Sequence, residues 1–202
     1  MKLLSIFVGV SNIFNSLSAL PYIPYNILVY LARQEAAEDL WKLLKYNSYD
    51  ALSKPNLTFD QKLELIWRNG PQEKFGVFFT PLVEDAICES KCVLKIYDYY
   101  IHAKELYSST VVYAFDFLYG GQMSLVEYNG IPVSRGDLFI NRVMTVLNGA
   151  EVGGVGKLTF LDDMSRYALG RATIGNSKTF TGVQLFLAVN VGDTGEEYGC
   201  ES

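Results

Sequence analysis

The chain has few of the residues that carry out chemistry. It has one histidine, His102, and three cysteines, Cys88, Cys92 and Cys200. A zinc site takes about four ligands; with a single histidine and Cys200 placed in the tail, buried or idle thiols are the expected reading. Three cysteines cannot all pair internally and form no disulfide framework, which fits a reducing cytoplasm. There is no run of basic residues, and with a net charge of −5 and a pI near 4.9 the electrostatic footprint of a nucleic-acid binder is missing. A mildly acidic protein can still surround DNA without gripping it. No internal repeat, low-complexity tract or bilayer-spanning apolar run occurs either.

Apolar and aromatic residues are plentiful. Half of the chain is hydrophobic, with 14 tyrosines and 12 phenylalanines. At 202 residues it suits one domain, or one domain with an arm, and can bury roughly 70% of its unfolded surface without staples. Surplus apolar surface of this kind is commonly covered by a partner.

Residues 1–25 read as an apolar N-terminal arm, 26–191 as a single α+β domain and 192–202 as a loose acidic tail. The arm opens with one lysine and an apolar run over 3–10, and has small residues at Ser18 and Ala19. A signal peptide shares these features, but Ser11, Asn12, Asn15 and Ser16 interrupt the apolar character, and an ordered arm is the preferred reading. Its aromatics, Phe7, Phe14, Tyr22 and Tyr25, are the candidate partner interface, because they cannot all pack into a core reached by so short a segment. Pro21 and Pro24 separate the arm from the first helix.

That helix is expected over 26–46, capped by Asn26, with a small-residue middle at Ala32, Ala36 and Ala37. A second starts at Thr58, where Thr58-Phe59-Asp60-Gln61 spells a capping box. It continues through Leu63, Leu65, Ile66 and Trp67 and stops at Asn69-Gly70-Pro71. Strands are predicted over 75–80, 92–99, 109–121, 157–161 and 180–191. The segment between Tyr99 and Ser109 reads as a polar connection, and 123–132 as a loop with an Asn129-Gly130 turn. In the strand from Ser109, Val111, Tyr113, Phe115, Phe117 and Tyr119 lie on one side, with Val112, Ala114, Asp116 and Leu118 on the other, the pattern of a half-buried strand. Ser134, followed by Asp137, starts a helix over 134–147. Its stripe is Leu138, Ile140, Val143, Met144 and Leu147, and it ends at Asn148-Gly149. This order predicts an α+β fold: an antiparallel or mixed β-sheet with two to three helices packed on one face.

Several short patterns carry no chemistry. Gly153-Gly154-Val155-Gly156-Lys157 has Glu151 and Leu158 where a phosphate loop needs Gly and Ser or Thr. It also follows a helix and opens a strand, so it reads as a turn. Cys88 and Cys92 have helical ligand spacing but too few companions, and His102 has no orienting group to make it a base for Cys88 or Ser108. The acidic pairs Glu84-Asp85, Asp162-Asp163 and Glu196-Glu197 read as solvated turns. Arg135-Gly136-Asp137 spells an adhesion tripeptide, but it opens a helix and is chance. No catalytic, cofactor-binding or metal-binding residue is assigned, and no enzyme activity is expected.

The order of elements over 26–161 resembles the tail-terminator and neck proteins of tailed bacteriophages: an N-terminal helix, a hairpin-rich sheet, a long strand (VVYAFDFLYGG), a helix beginning near Arg135 and ending LNG, and a further strand. The apolar arm, the helix at 59–67 and the strand at 180–191 exceed a minimal member. The resemblance implies a structural virion protein assembled in the bacterial cytoplasm. It would form a closed homo-oligomeric ring, usually a hexamer, that caps the tail tube protein and offers a surface to the head connector protein. DNA would pass through the lumen without specific binding, and no membrane or cofactor is involved. A connector or stopper ring of another size, a small enzyme with a loop-borne site and a secreted protein remain the alternatives.

Overall fold

The computed structural model describes residues 20–105, 108–152, 156–160 and 179–192, and of 102–105, 108, 160 and 192 it describes the backbone alone. Phe7, Phe14, Cys200, the acidic pairs at 162–163 and 196–197, and the tail beyond 192 lie outside these residues.

The expected helix over 26–46 is two helices. A short 3-10 turn, Leu20–Tyr22, leads into α1, Ile23–Arg33. Pro24 sits in its first turn, where a missing N–H costs nothing, so the helix starts before Asn26 rather than being capped by it. Gln34 is extended (φ −88°, ψ 124°) and ends α1, and a 3-10 turn, Glu35–Ala37, leads into α2, Glu38–Lys45. No proline or glycine marks this break. Tertiary donors stabilise it. Trp41 Nε1 donates to the Leu31 carbonyl at 3.3 Å, and Lys62 Nζ to the Ala32 carbonyl at 3.3 Å, so carbonyls at the end of α1 are satisfied from outside the helix. Lys62 also pairs with Glu38 at 2.6 Å in a largely buried ion pair, and Glu38 accepts the Leu57 amide at 2.7 Å.

The capping box at Thr58 is present in full: Thr58 Oγ1 accepts the Gln61 amide, and Gln61 Oε1 accepts the Thr58 amide. The helix it starts, α3, spans only Phe59–Leu63. Leu65 and Ile66 leave it to enter the core, and Ile66 bridges Val77.

Strand β1 is short, Val77–Phe78, and is followed by α4, Asp85–Ser90. Then come β2, Val93–Glu105, and β3, Ser108–Gly120. The polar connection expected after Tyr99 is therefore the distal half of a long hairpin. Register shifts at Asp98/Tyr100 and Ala103/Glu105 break the period of two, which hides the strand from a pattern reading. The loop expected over 123–132 is likewise a hairpin, β4, Leu125–Tyr128, and β5, Ile131–Ser134. Asn129 (φ 54°) and Gly130 (φ 80°) form its two-residue turn, both left-handed as a type I′ turn requires. Helix α5, Arg135–Leu147, begins under a Ser134 cap that accepts the Asp137 amide, and β6, Leu158–Phe160, and β7, Phe180–Gly192, complete the strands.

The main sheet has the order β1-β2-β3-β7-β6. β1 runs parallel to β2 and the other neighbours are antiparallel, so the fold is α+β with a mixed sheet. Val111, Tyr113, Phe115, Phe117 and Tyr119 share the main core with residues of α1, α2 and α5, as the alternation predicts. The opposite side is not wet, however. Val112, Ala114, Asp116 and Leu118 are also buried. Ile87 and Cys88 of α4 pack there with Phe78, Val93, Leu118 and Phe180, so the helices occupy both faces of the sheet.

Phe139 carries α5 onto the sheet. Its ring stacks on Phe117 with centroids 4.1 Å apart and planes 3° from parallel. A Cβ on Gly136 would stand 2.7 Å from both the Tyr119 hydroxyl and Val183 Cγ1, so glycine permits this approach. The buried stripe of α5 is Arg135, Gly136, Phe139, Val143 and Leu147, whereas Leu138, Ile140 and Met144 of the expected stripe are only partly buried.

Candidate functional site

Two of the four predicted interface aromatics fall among the described residues. Tyr22 closes the 3-10 turn before α1 and is 67% exposed, and Tyr25 lies within α1 and is 40% exposed. Tyr25 meets Phe79 edge to face at 6.5 Å, and Phe79 and Leu82 are themselves exposed. The structure thus joins Tyr22 and Tyr25 to the start of α1 and adds Phe79 to their surroundings.

Other candidates resolve into structure. Cys88 and Cys92 are buried free thiols, and among the described residues no group of three or more His, Cys, Asp or Glu side chains could hold a metal. Burial pushes the Cys88 thiol up, and pushes Cys92 to about 11, partly offset by the nearby Arg135 guanidinium. Neither is a poised thiolate. His102 lies on β2 opposite Thr110. Glu84 and Asp85 start α4, with Glu84 as its N-cap. Of the glycine-rich run, Gly156 is left-handed (φ 109°) and precedes β6, and the Gly149 amide donates to the Leu158 carbonyl at 2.7 Å, as in a helix-to-strand turn. Among the described residues no helix is long and apolar enough to cross a membrane.

Arg135 has a structural part that its tripeptide does not suggest. Its side chain is fully buried. Nε donates to the Met123 carbonyl at 2.8 Å, Nη1 to the Leu43 and Tyr46 carbonyls at 3.0 Å each, and Nη2 to the Ser48 carbonyl at 2.7 Å. Nη1 also lies 3.6 Å from Cys92 Sγ. The charge is thus solvated by backbone oxygens, several from the C-terminal end of α2, where a cation is favoured. A visible signal existed: positions 135, 139, 143 and 147 repeat every four residues, which places Arg135 on the apolar row.

A polar row also crosses the second face of the sheet. Lys95, Asp116 and Gln184 are in register on three adjacent strands. Asp116 accepts from Tyr97 Oη at 2.9 Å and from Gln184 Nε2 at 2.7 Å, while Lys95 Nζ donates to the Pro81 carbonyl at 2.9 Å. Burial and the Asp116 carboxylate raise the Tyr97 phenol well above its ordinary range. This arrangement holds Asp116 as an acceptor between two donors.

The described residues also line open clefts. One, about 320 Å³, is lined by Tyr119, Ser124, Leu125, Ser134, Thr181 and Val183. Another, about 360 Å³, is lined by Asp39, Leu52, Ser53, Glu127, Tyr128 and Asn129. Beside it Arg142 binds Asp39 at 2.8 Å and Tyr128 Oη at 3.0 Å, which uses these groups in bracing α2 and β4 against α5.

Among the described residues β2 has an outer neighbour only at Leu94 and Lys95, opposite Val77 and Phe78. Beyond Lys95 the strand runs on to Glu105, and Tyr99, Tyr100 and Ile101 on it are all more than 40% exposed.

Residues 37–189 match the family model described as YomW. No curated protein and no solved structure matches the chain.

Proposed function

Because the chain belongs to the YomW family, named after a phage-like Bacillus prophage gene product, we propose that this phage-associated protein is a structural virion component forming a ring at the head–tail junction. In this reading it is the tail terminator: it caps the tail tube, meets the head connector and lets DNA pass through an acidic lumen.

Exposed apolar surface is the observation that supports assembly, with Tyr99, Tyr100 and Ile101 on β2 each more than 40% exposed. A ring needs a heterologous contact, in which one surface meets a different surface of the next copy and rotation closes the circle. Tyr22, Tyr25, Phe79 and Leu82 supply further exposed apolar surface.

Native mass spectrometry of the full chain tests the reading. A hexameric mass supports the terminator, and a dodecameric mass would instead favour a connector or stopper ring. A strict monomer at all concentrations overturns both.

A further inference from the structure

We infer that Asn69 is a site of spontaneous covalent modification, at which its carboxamide cyclises onto the Gly70 nitrogen and water then opens the ring to isoaspartate or aspartate. The step needs only water as co-reactant.

Asparagine is a labile residue, and a following glycine exposes it most, because no side chain shields the attacking nitrogen. The chain has three such pairs, Asn69-Gly70, Asn129-Gly130 and Asn148-Gly149. By sequence they are equivalent. Their surroundings in the fold are not.

At Asn69 the reacting groups already meet. The Gly70 amide donates to Asn69 Oδ1 at 2.8 Å, so the carboxamide lies against the nitrogen that must attack it. Both residues are exposed. Gly70 is left-handed (φ 90°), and apart from its chain neighbours nothing stands within 4 Å of where its Cβ would be, so the ring has room to close and ammonia to leave. Trp67 Nε1 donates to the Gly70 carbonyl at 3.1 Å and steadies the residue that carries the nucleophile.

The other two pairs are held apart from reaction. The Gly149 amide is spent on the Leu158 carbonyl at 2.7 Å. Asn129 and Gly130 are fixed in their turn by the pairing of Tyr128 with Ile131, and among the described residues no hydrogen bond brings the Asn129 carboxamide to the Gly130 nitrogen.

The chemistry balances without an oxidant or a cofactor. The Gly70 N–H gives up its proton, the nitrogen bonds to Asn69 Cγ, and the Cγ–Nδ2 bond breaks. The leaving nitrogen takes the proton away as ammonia. Water then adds to one of the two ring carbonyls. Opening at Cγ gives aspartate. Opening at the Asn69 backbone carbonyl routes the main chain through the side chain and lengthens it by one methylene. Either product places a new carboxylate in the span 67–77, whose ends are clamped by the Trp67 amide on the Val77 carbonyl at 2.8 Å and the Gly76 amide on the Leu65 carbonyl at 2.9 Å.

The test is incubation of the full chain at pH 8, folded and in urea, followed by peptide mapping in a mass spectrometer, with an isoaspartyl methyltransferase as the probe for isoaspartate. In the folded chain Asn69 should convert roughly tenfold or more ahead of Asn129 and Asn148, the scale on which positioning of reacting atoms acts. In urea the three rates should converge. Equal rates in the folded chain, or a lead by Asn129 or Asn148, would overturn the inference. So would the same order persisting in urea, which would assign it to sequence alone. Trp67→Phe keeps a ring against Phe78 but removes the bond to Gly70, and should slow Asn69 while sparing the other two. An unchanged rate at Asn69 in that variant would count against a positioned nucleophile.

Discussion

Arg135 Nη1 donates to the carbonyl of Leu43, a residue 92 positions earlier, at 3.0 Å. The same guanidinium serves Tyr46, Ser48 and Met123, so one side chain ties the end of α2, the following loop and the turn after β3 to the start of α5. Arg135→Met should leave the buried Leu43 and Met123 carbonyls without this donor. Each unsatisfied buried acceptor costs about 1–3 kcal/mol, so the expected loss is at least about 2 kcal/mol, read from the urea midpoint. Arg135→Lys should recover only part of it, because an ammonium lacks the planar fork that reaches several carbonyls at once.

Phe139→Ala should destabilise the domain by about 3–5 kcal/mol, since it removes the ring stacked on Phe117 and leaves a cavity between α5 and the sheet. Gly136→Ala should cost about 1–3 kcal/mol by the opposite route, an added methyl pressed against Tyr119 and Val183. Thermal unfolding measures both. A Gly136→Ala variant as stable as the parent would mean that α5 shifts freely on the sheet.

Stability should fall in alkali. The buried Cys92 thiol has its proton release raised from the ordinary 9.0 to about 11, and the phenols of Tyr97 and Tyr113 are raised too. A raised value in the folded state means that the stabilisation is complete below the unfolded value and is lost as the pH climbs through the folded one. Between pH 9 and 11 the unfolded chain releases the Cys92 proton while the folded chain keeps it, at up to about 1.4 kcal/mol per pH unit. Denaturant titrations across this window should show the decline, and Cys92→Ala should flatten it. Cys92 and Cys88 should also resist a thiol reagent at pH 8 until denaturant is added.

The Arg142–Asp39 pair should matter far less than Arg135. Both side chains are partly exposed (20% and 28%), where ion pairs contribute about 0–1 kcal/mol. Asp39→Asn should therefore shift the urea midpoint little, and the shift should shrink further in high salt.

Much of the scaffold is legible in the sequence wherever one local rule decides. The alternation from Val111 to Tyr119 identifies the central strand and its core side, and Thr58 and Ser134 mark helix starts that the structure realises as caps. The rest depends on distant partners. The break at Gln34 carries no local signal, because Trp41 and Lys62 supply its donors. The distal half of β2 is obscured by bulges, and β4 and β5 by their four-residue lengths and by Pro132. The second face of β3 looked wet because Asp116 sits on it, yet Tyr97 and Gln184 make its burial tolerable. A charge at Arg135 reads as surface, and only its four-residue spacing from Phe139 places it on the buried row of α5. Of the candidate interface, exposure at Tyr22 and Tyr25 was readable only as a surplus of aromatics.

The carbonyl cage around Arg135 also imposes an order on synthesis. When residues 43–48 leave the ribosome, the guanidinium that satisfies them is still 87 to 92 residues from being made. At about 5–20 residues per second, the wait is roughly 4 to 20 s. Throughout it the end of α2 has only water for its carbonyls, so the early helices cannot settle as a finished unit. Nascent chains stopped before position 135 should remain open to proteolysis, and the domain should close late and in one step.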